Sequence, residues 1–394
     1  MARFLLGVNY WPRSSAMAMW SHFDAGEIEE DFARIADLGL DVVRLFLLWD
    51  AFQPASDEVA ELPLARLELV LDRLHERKLR ALPTLFCGHM SGVNWLPPWA
   101  LDRSVRSRRF RTITGGGESP YGCGDLYAGP LLDAQRLFAR RVGERVRDHA
   151  ALLAWDLGNE FSNLRRPASV ADGVHWSAAL AQDLFAASNV GVTGGLHGED
   201  LTEDRNIRPS SLCEPWAYAS MHGYPVYSTF ARGPGDPEVV PFLYELTSSF
   251  AGKRVLFTEL GNPSCAPGQA ATGEVACLSD EAMVVYARAV LDRLQHRGAL
   301  GAFWWCWADY VAALATQPPF DRAPHELSFG LVRADGELKP VAEELRRFAR
   351  ERRTISEPPP PLVGEARYYA GLPRSTFDAY AAYRDEHSLS EQVS

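Results

Sequence analysis

The chain alternates between apolar runs of strand length and amphipathic stretches of helix length. Apolar runs fall at 4–10, 41–48, 80–87, 152–158, 189–194, 218–222, 254–258 and 299–307. Stretches with helical spacing lie at 27–38, 64–77, 130–148, 168–187, 237–250, 280–297 and 341–353. In the first of these, Ile28, Phe32, Ile35 and Leu38 recur every three or four residues and so line one helix face. A strand that returns to a parallel neighbour needs a helical crossover, so the alternation reads as βα units. Eight units are the count of a (β/α)8, or TIM, barrel. An open doubly wound sheet would place a glycine-rich phosphate cradle after the first strand, and the stretch 7–12, Gly-Val-Asn-Tyr-Trp-Pro, is not one. The expectation is an α/β chain: a single-domain (β/α)8 barrel over 1–353 with long βα loops, and a C-terminal extension over 354–394.

Composition narrows the partners. A formal charge of −11 argues against nucleic acid or an anionic membrane surface. No run approaches the ~18 apolar residues of a membrane span, and the first ten residues leave no room for a signal segment before the first strand. A cytoplasmic protein is expected. The six cysteines (87, 123, 213, 265, 277, 306) show no CxxC and no zinc-ligand spacing, so a reduced chain is the simpler expectation. Cys265 and Cys277 flank a loop and are the two that could pair. The arginines at 103, 106, 108, 109 and 111 read as a solvated or interface face. In the extension, prolines at 358–361 precede Tyr368, Tyr369, Phe377, Tyr380 and Tyr383, aromatics that could dock on the barrel or form a homo-oligomer contact.

In a barrel of this kind, polar residues at the C-terminal strand ends form the active site. Here they are Asn9, Trp11, Arg44, Trp49, His89, Asn159, Glu160, His197, His222, Tyr224 and Glu259, with Trp305 and Trp307 on the last strand. Glu160 and Glu259 each close an apolar strand, on opposite sides of the barrel mouth. Two carboxylates facing each other across a sugar can cleave a glycosidic bond, one as acid and one as nucleophile. Period-2 alternation puts Trp305 and Trp307 on one face.

The stretch 155–160, Trp-Asp-Leu-Gly-Asn-Glu, resembles the Asn-Glu signature of the clan A glycoside hydrolases. Val42-Val43-Arg44, His222-Gly223-Tyr224 and Thr258-Glu259-Leu260-Gly261 are similar to segments of glycoside hydrolase family 5. The resemblance implies Glu160 as acid/base and Glu259 as nucleophile, with Tyr224 bonded to Glu259 and Arg44 keeping it ionised. It further implies Asn159 on the sugar 2-hydroxyl, His222 tuning Glu160, and Trp305 or Trp307 as the floor of the sugar site. His89 is an approximate counterpart of that family's third-strand histidine. The opening at 7–12 looks more like family 42 β-galactosidases, whose chains are longer.

Long loops after several strands are material for a blocked pocket, which favours exo action on small oligosaccharides. Among family 5 enzymes the chain looks most like the β-mannosidase type, including subfamily 18, which acts on mannosyl-β-1,4-N-acetylglucosamine. β-Galactosidase or β-glucosidase action, endo-β-mannanase or endoglucanase action, and a non-catalytic carbohydrate-binding barrel are the alternatives. No metal and no organic cofactor is called for.

Overall fold

The computed structural model describes residues 2–265 and 275–391. Eight parallel strands form the barrel: β1 Leu5–Asn9, β2 Val42–Leu48, β3 Arg80–Cys87, β4 Trp155–Asn159, β5 Val192–Gly195, β6 Ala219–Gly223, β7 Val255–Leu260 and β8 Gly301–Trp304. Their order is β5-β4-β3-β2-β1-β8-β7-β6. The ring closes between β5 and β6, where Ala217 N–H donates to Val192 O and His222 N–H to Leu196 O, both at 2.8 Å. Helices α1 Ala25–Asp37, α2 Glu61–Glu76, α3 Gly129–Arg145, α4 Val170–Ala187, α5 Gly198–Thr202, α6 Val239–Ala251, α7 Asp280–His296 and α8 Pro340–Glu351 are distributed among the strands. Side-chain caps set several helix starts. Asp24 accepts from the N–H groups of Gly26 and Glu27, Ser169 from Asp172, and Ser279 from Ala282.

Two apolar layers result. Strand and helix side chains pack together in the main core, and Val42, Leu82, Ala154, Leu256 and Phe303 form a separate small cluster drawn from five strands or their starts. No described helix is long and apolar enough to cross a membrane.

Local departures from the periodicity have identifiable causes. The fifth strand begins only at Val192, because Asn189 is held at the surface by Asp148 (2.6 Å). The eighth stops at Trp304 instead of running to 307. Beyond it Cys306 N–H turns to Phe329 O (3.2 Å) and Trp307 N–H to Asn9 O (2.9 Å). The loop over 88–129 is ordered into small sheets, one pairing Leu101–Arg106 with Tyr121–Cys123.

Cys265 and Cys277 are joined by a disulfide, which corrects the expectation of a fully reduced chain. The loop ends lie side by side, since Cys265 N–H donates to Leu278 O (2.8 Å) and Leu278 N–H to Pro263 O (2.9 Å). The other four cysteines are free and buried.

The extension folds back on its own barrel as α9 Glu365–Ala370 and α10 Arg374–Glu391. Four of its five aromatics, Tyr368, Tyr369, Tyr380 and Tyr383, are at most 5% exposed. They are buried within the chain, which accounts for them without a neighbouring subunit.

At the mouth, β4 and β5 approach too closely for any side chain at Gly195. A Cβ there would lie 2.1 Å from Gly158 O and 3.1 Å from Glu160 N. Gly195→Ala is therefore expected to destabilise the fold by about 1–3 kcal/mol, the usual cost of overpacking. Urea unfolding would measure this, and an unchanged midpoint would contradict the packing described.

Candidate active site

Arg44 stands on β2, a strand buried along its whole length, with its guanidinium inside the barrel. Its Nε and Nη2 donate to Asp156 Oδ2 at 2.9 and 2.6 Å, and its Nη1 donates to Glu259 Oε1. Further bonds reach Asn9 Oδ1 (3.2 Å) and Asn159 Oδ1 (3.0 Å). Burial opposes its charge, but Asp156 and Glu259 outweigh burial and hold the guanidinium above its usual pKa. The other Glu259 oxygen accepts the Tyr224 hydroxyl at 2.6 Å. Both carboxylate oxygens of Glu259 thus face donors. The same contact, after burial, lifts the Tyr224 phenol well above its usual range.

Glu160 enters from the opposite wall. Its backbone sits in the left-handed region (φ 47°), rare for a residue with a side chain, directly after the last residue of β4. The strand's register also shifts between Asp156 and Asn159, as irregular strands near active sites often do. Oε1 lies 3.2 Å from His222 Nδ1, and Oε2 accepts from Asn163 Nδ2 at 3.1 Å. His222 Nδ1 is also 3.6 Å from Glu259 Oε2, so one imidazole stands between the two acids. Oxygens of Glu160 and Glu259 approach within 4.8 Å of each other. Glu160, His222 and Glu259 together offer a donor set that a divalent ion could use. That fit is poor, because Arg44 already supplies the positive charge on Glu259 and a second cation would face it.

The histidines around Glu160 are kept neutral. Burial pushes His222 down to about 3 and His197 to about 4, the second aided by Arg205, and it lowers His89 as well. His197 Nε2 lies 3.0 Å from Ser162 Oγ and 3.2 Å from Arg205 Nη1, and its Nδ1 lies 4.0 Å from Glu160 Oε2.

These groups open on a cavity of about 640 Å³ lined by His89, Asn159, Glu160, His197, His222, Tyr224, Glu259 and Trp305. Phe110 and Arg109 reach it from the third-strand loop, with Tyr227, Glu326, Phe329 and Phe377 completing the walls. Three expected contacts fall outside, as does Asn9. Arg44, fully buried, meets the cavity only through Glu259 and Asn159. Trp49 is buried beneath the mouth, donating to Gln53 Oε1 (2.8 Å) and packing on Trp99 and Phe86. Trp307 lies behind the barrel wall near Arg34, because the alternation that paired it with Trp305 stops when β8 ends. Arg109 is at the cavity and paired with Glu199, not simply on a solvated face.

Sequence reasoning passed over Asp156, although an acid inside an apolar strand was a readable signal of a buried cation partner. It also passed over Asn163, one turn beyond Glu160. Glu326 gave no signal, since it lies in the short 3-10 helix Pro324–Ser328, outside the barrel's strands and helices. There it accepts the Tyr227 hydroxyl (3.0 Å), and burial followed by the charges of Glu259 and Glu160 raises it to about 7.

No family model matches the sequence, and no curated protein matches it. Solved structures do. The exo-β-1,4-mannosidase of Opitutaceae bacterium strain TAV5 is similar at 26% identity and TM-score 0.74, over 89% of this chain and 60% of that one. The chain therefore spans about three fifths of that enzyme's length. A glycoside hydrolase family 5, subfamily 18 variant from Streptomyces cattleya, in complex with Manβ1-4GlcNAc, is similar at 20% identity and TM-score 0.81, over 99% of this chain and 92% of that one. A subfamily 18 protein of Bifidobacterium longum subsp. infantis is similar at 20% identity and TM-score 0.74, over 91% and 81%. The chain shares the (β/α)8 fold of these glycoside hydrolases, as the strand-end motifs implied.

An imidazole in the unfolded chain takes a proton near 6.5, whereas buried His222 and His197 refuse one until about 3 and 4. The unfolded chain then binds more protons, so their contribution to stability falls as pH drops from about 6.5 toward 4. Glu326 acts oppositely: it is protonated when folded between 4.5 and about 7, and its contribution fades as pH rises through that window. Between pH 7 and pH 5, His197→Gln should lose roughly 2 kcal/mol less unfolding free energy than wild type. Equal losses in urea titrations would contradict neutral burial of His197.

Proposed function

We propose that the chain is a retaining exo-β-glycosidase acting on small oligosaccharides, with a β-mannoside such as mannosyl-β-1,4-N-acetylglucosamine as substrate. The observation that carries this reading is the carboxylate pair within 4.8 Å, each member differently dressed. Retaining enzymes keep their carboxyl groups ~5–5.5 Å apart, whereas inverting enzymes need ~6.5–9.5 Å to seat a water between them. Glu259, with Arg44 and Tyr224 on its two oxygens, attacks the anomeric carbon. Glu160, more open to the cavity (side chain 17% exposed against 5% for Glu259), gives its proton to the leaving oxygen. It then takes a proton from the water that releases the sugar.

His222 bridges the pair, and neutral His89 and His197 flank Glu160 without adding charge. Asn159 lines the cavity with one amide proton on His89 O (2.8 Å), leaving the other for the 2-hydroxyl. Trp305, 4% exposed and packed edge-on against Phe46, is the floor. Exo action is supported by walls on several sides of the cavity: the third-strand loop at Phe110, the turn at Glu326 and the extension at Phe377. The mannoside preference rests on the likeness to an exo-β-1,4-mannosidase and to a protein solved with Manβ1-4GlcNAc. The chemistry needs carboxylates and water and calls for no cofactor.

A panel of mannosyl, glucosyl and galactosyl β-disaccharides and p-nitrophenyl β-glycosides tests the reading. Hydrolysis with retention at the anomeric carbon is expected, fastest for mannosides. Glu259→Ala should abolish it, with azide returning the inverted glycosyl azide. Glu160→Ala should cost about 10²–10⁴-fold on poor leaving groups. Pure protein that turns over no β-glycoside would instead leave a binding-only barrel.

A further inference from the structure

Phe377 is the exception among the aromatics of the extension. It is 48% exposed, while its four companions are buried. It is not idle surface, because Pro373, Thr376 and Phe377 line the same cavity as the two acids. The extension is held there firmly. Tyr369 O–H donates to Asp200 O in α5 (2.8 Å), Tyr380 O–H to Asp236 Oδ2 (2.7 Å) and Tyr383 O–H to Glu238 Oε2 (2.9 Å). The ring of Tyr380, one turn after Phe377, packs edge-to-face 5.0 Å from Phe230, itself a cavity residue.

The side of the cavity is also defined. A general acid delivers its proton to the leaving oxygen, so the departing group lies on the side of Glu160. His197, which flanks Glu160, immediately precedes α5, and α5 is the helix on which Tyr369 docks. Trp305 and Glu259 are 4% exposed at the floor, whereas Phe377 stands at the rim. The sugar that is cleaved off belongs on the floor, and the leaving group belongs at the rim.

Resting on the glycosidase reading above, we propose that the C-terminal extension builds the leaving-group subsite, with the exposed Phe377 ring as an apolar platform for a pyranose ring beyond the scissile bond. Aromatic faces suit the C–H faces of such rings, and an aromatic placed for this work stays partly exposed until the ligand covers it. An extension that serves only to brace the barrel has no need of that exposed ring.

The test compares two substrates with the same cleaved sugar: a β-linked disaccharide, which reaches the rim, and the glycosyl fluoride, which does not. In the full-length chain, Phe377→Ala should lower the ratio of kcat/KM for the disaccharide to kcat/KM for the fluoride by about tenfold, mainly through KM. Phe377→Trp should retain the wild-type ratio. Because the side chain is half exposed, thermal melts of both variants should match wild type. A ratio that stays within twofold in Phe377→Ala, with wild type active on both substrates, overturns the subsite alone. A wild type that hydrolyses neither substrate overturns the glycosidase reading and the subsite with it.

Discussion

A buried arginine between two buried carboxylates governs this barrel. Arg44 is fully inaccessible, as is Asp156, and Glu259 nearly so. Three such charges are costly to desolvate, and removing one partner of a buried pair typically costs about 3–5 kcal/mol because the other is left unpaired. The group is stable only while β2, β4 and β7 hold their residues together, with Asn9 of β1 completing the shell. Asn9 in turn donates to Thr258 O (2.9 Å) and Trp304 O (3.1 Å), which fastens the ends of β7 and β8 to the same centre. Thr84 on β3 donates to Asp156 Oδ2 (2.8 Å). Strands far apart in sequence therefore share one electrostatic knot. Because Asp156 takes two of the guanidinium's N–H groups, Arg44 can orient Glu259 without cancelling the whole charge of the pair.

The rest of the mouth is shaped to bring Glu160 opposite that knot. The register shift in β4, the bare Gly195 beside Gly158, and the left-handed backbone at Glu160 act in sequence along one short segment. Each is locally unfavourable. Such strain persists where the surroundings over-determine it, commonly at functional sites. The neutral histidines add no positive charge beside Glu160.

Much of this was legible because it follows from periodicity and burial. Eight apolar runs gave the strands, and polar residues at their ends marked His89, Asn159, Glu160, His197, His222, Tyr224 and Glu259, all of which line one cavity. Reading failed where the chain left its regular ladder. Trp307 was paired with Trp305 by an alternation that ends at Trp304, and Trp49 was credited to the site though it turns inward onto Trp99. Glu326 and Phe377 reach the cavity from a turn and from a helix outside the barrel, and nothing local in the sequence records such long-range placement. The Cys265–Cys277 bridge likewise depends on loop ends brought together by backbone bonds on either side.

The central claim is that Glu259 forms a covalent bond to the sugar while Glu160 handles protons. Trapping tests it most directly. Incubation with a 2-deoxy-2-fluoro-β-mannosyl fluoride slows release of the intermediate, and intact-mass spectrometry followed by peptide mapping locates the adduct. The account predicts a mass increase of one fluorosugar carried by Glu259. Attachment at another residue, or turnover with inversion at the anomeric carbon, would contradict it.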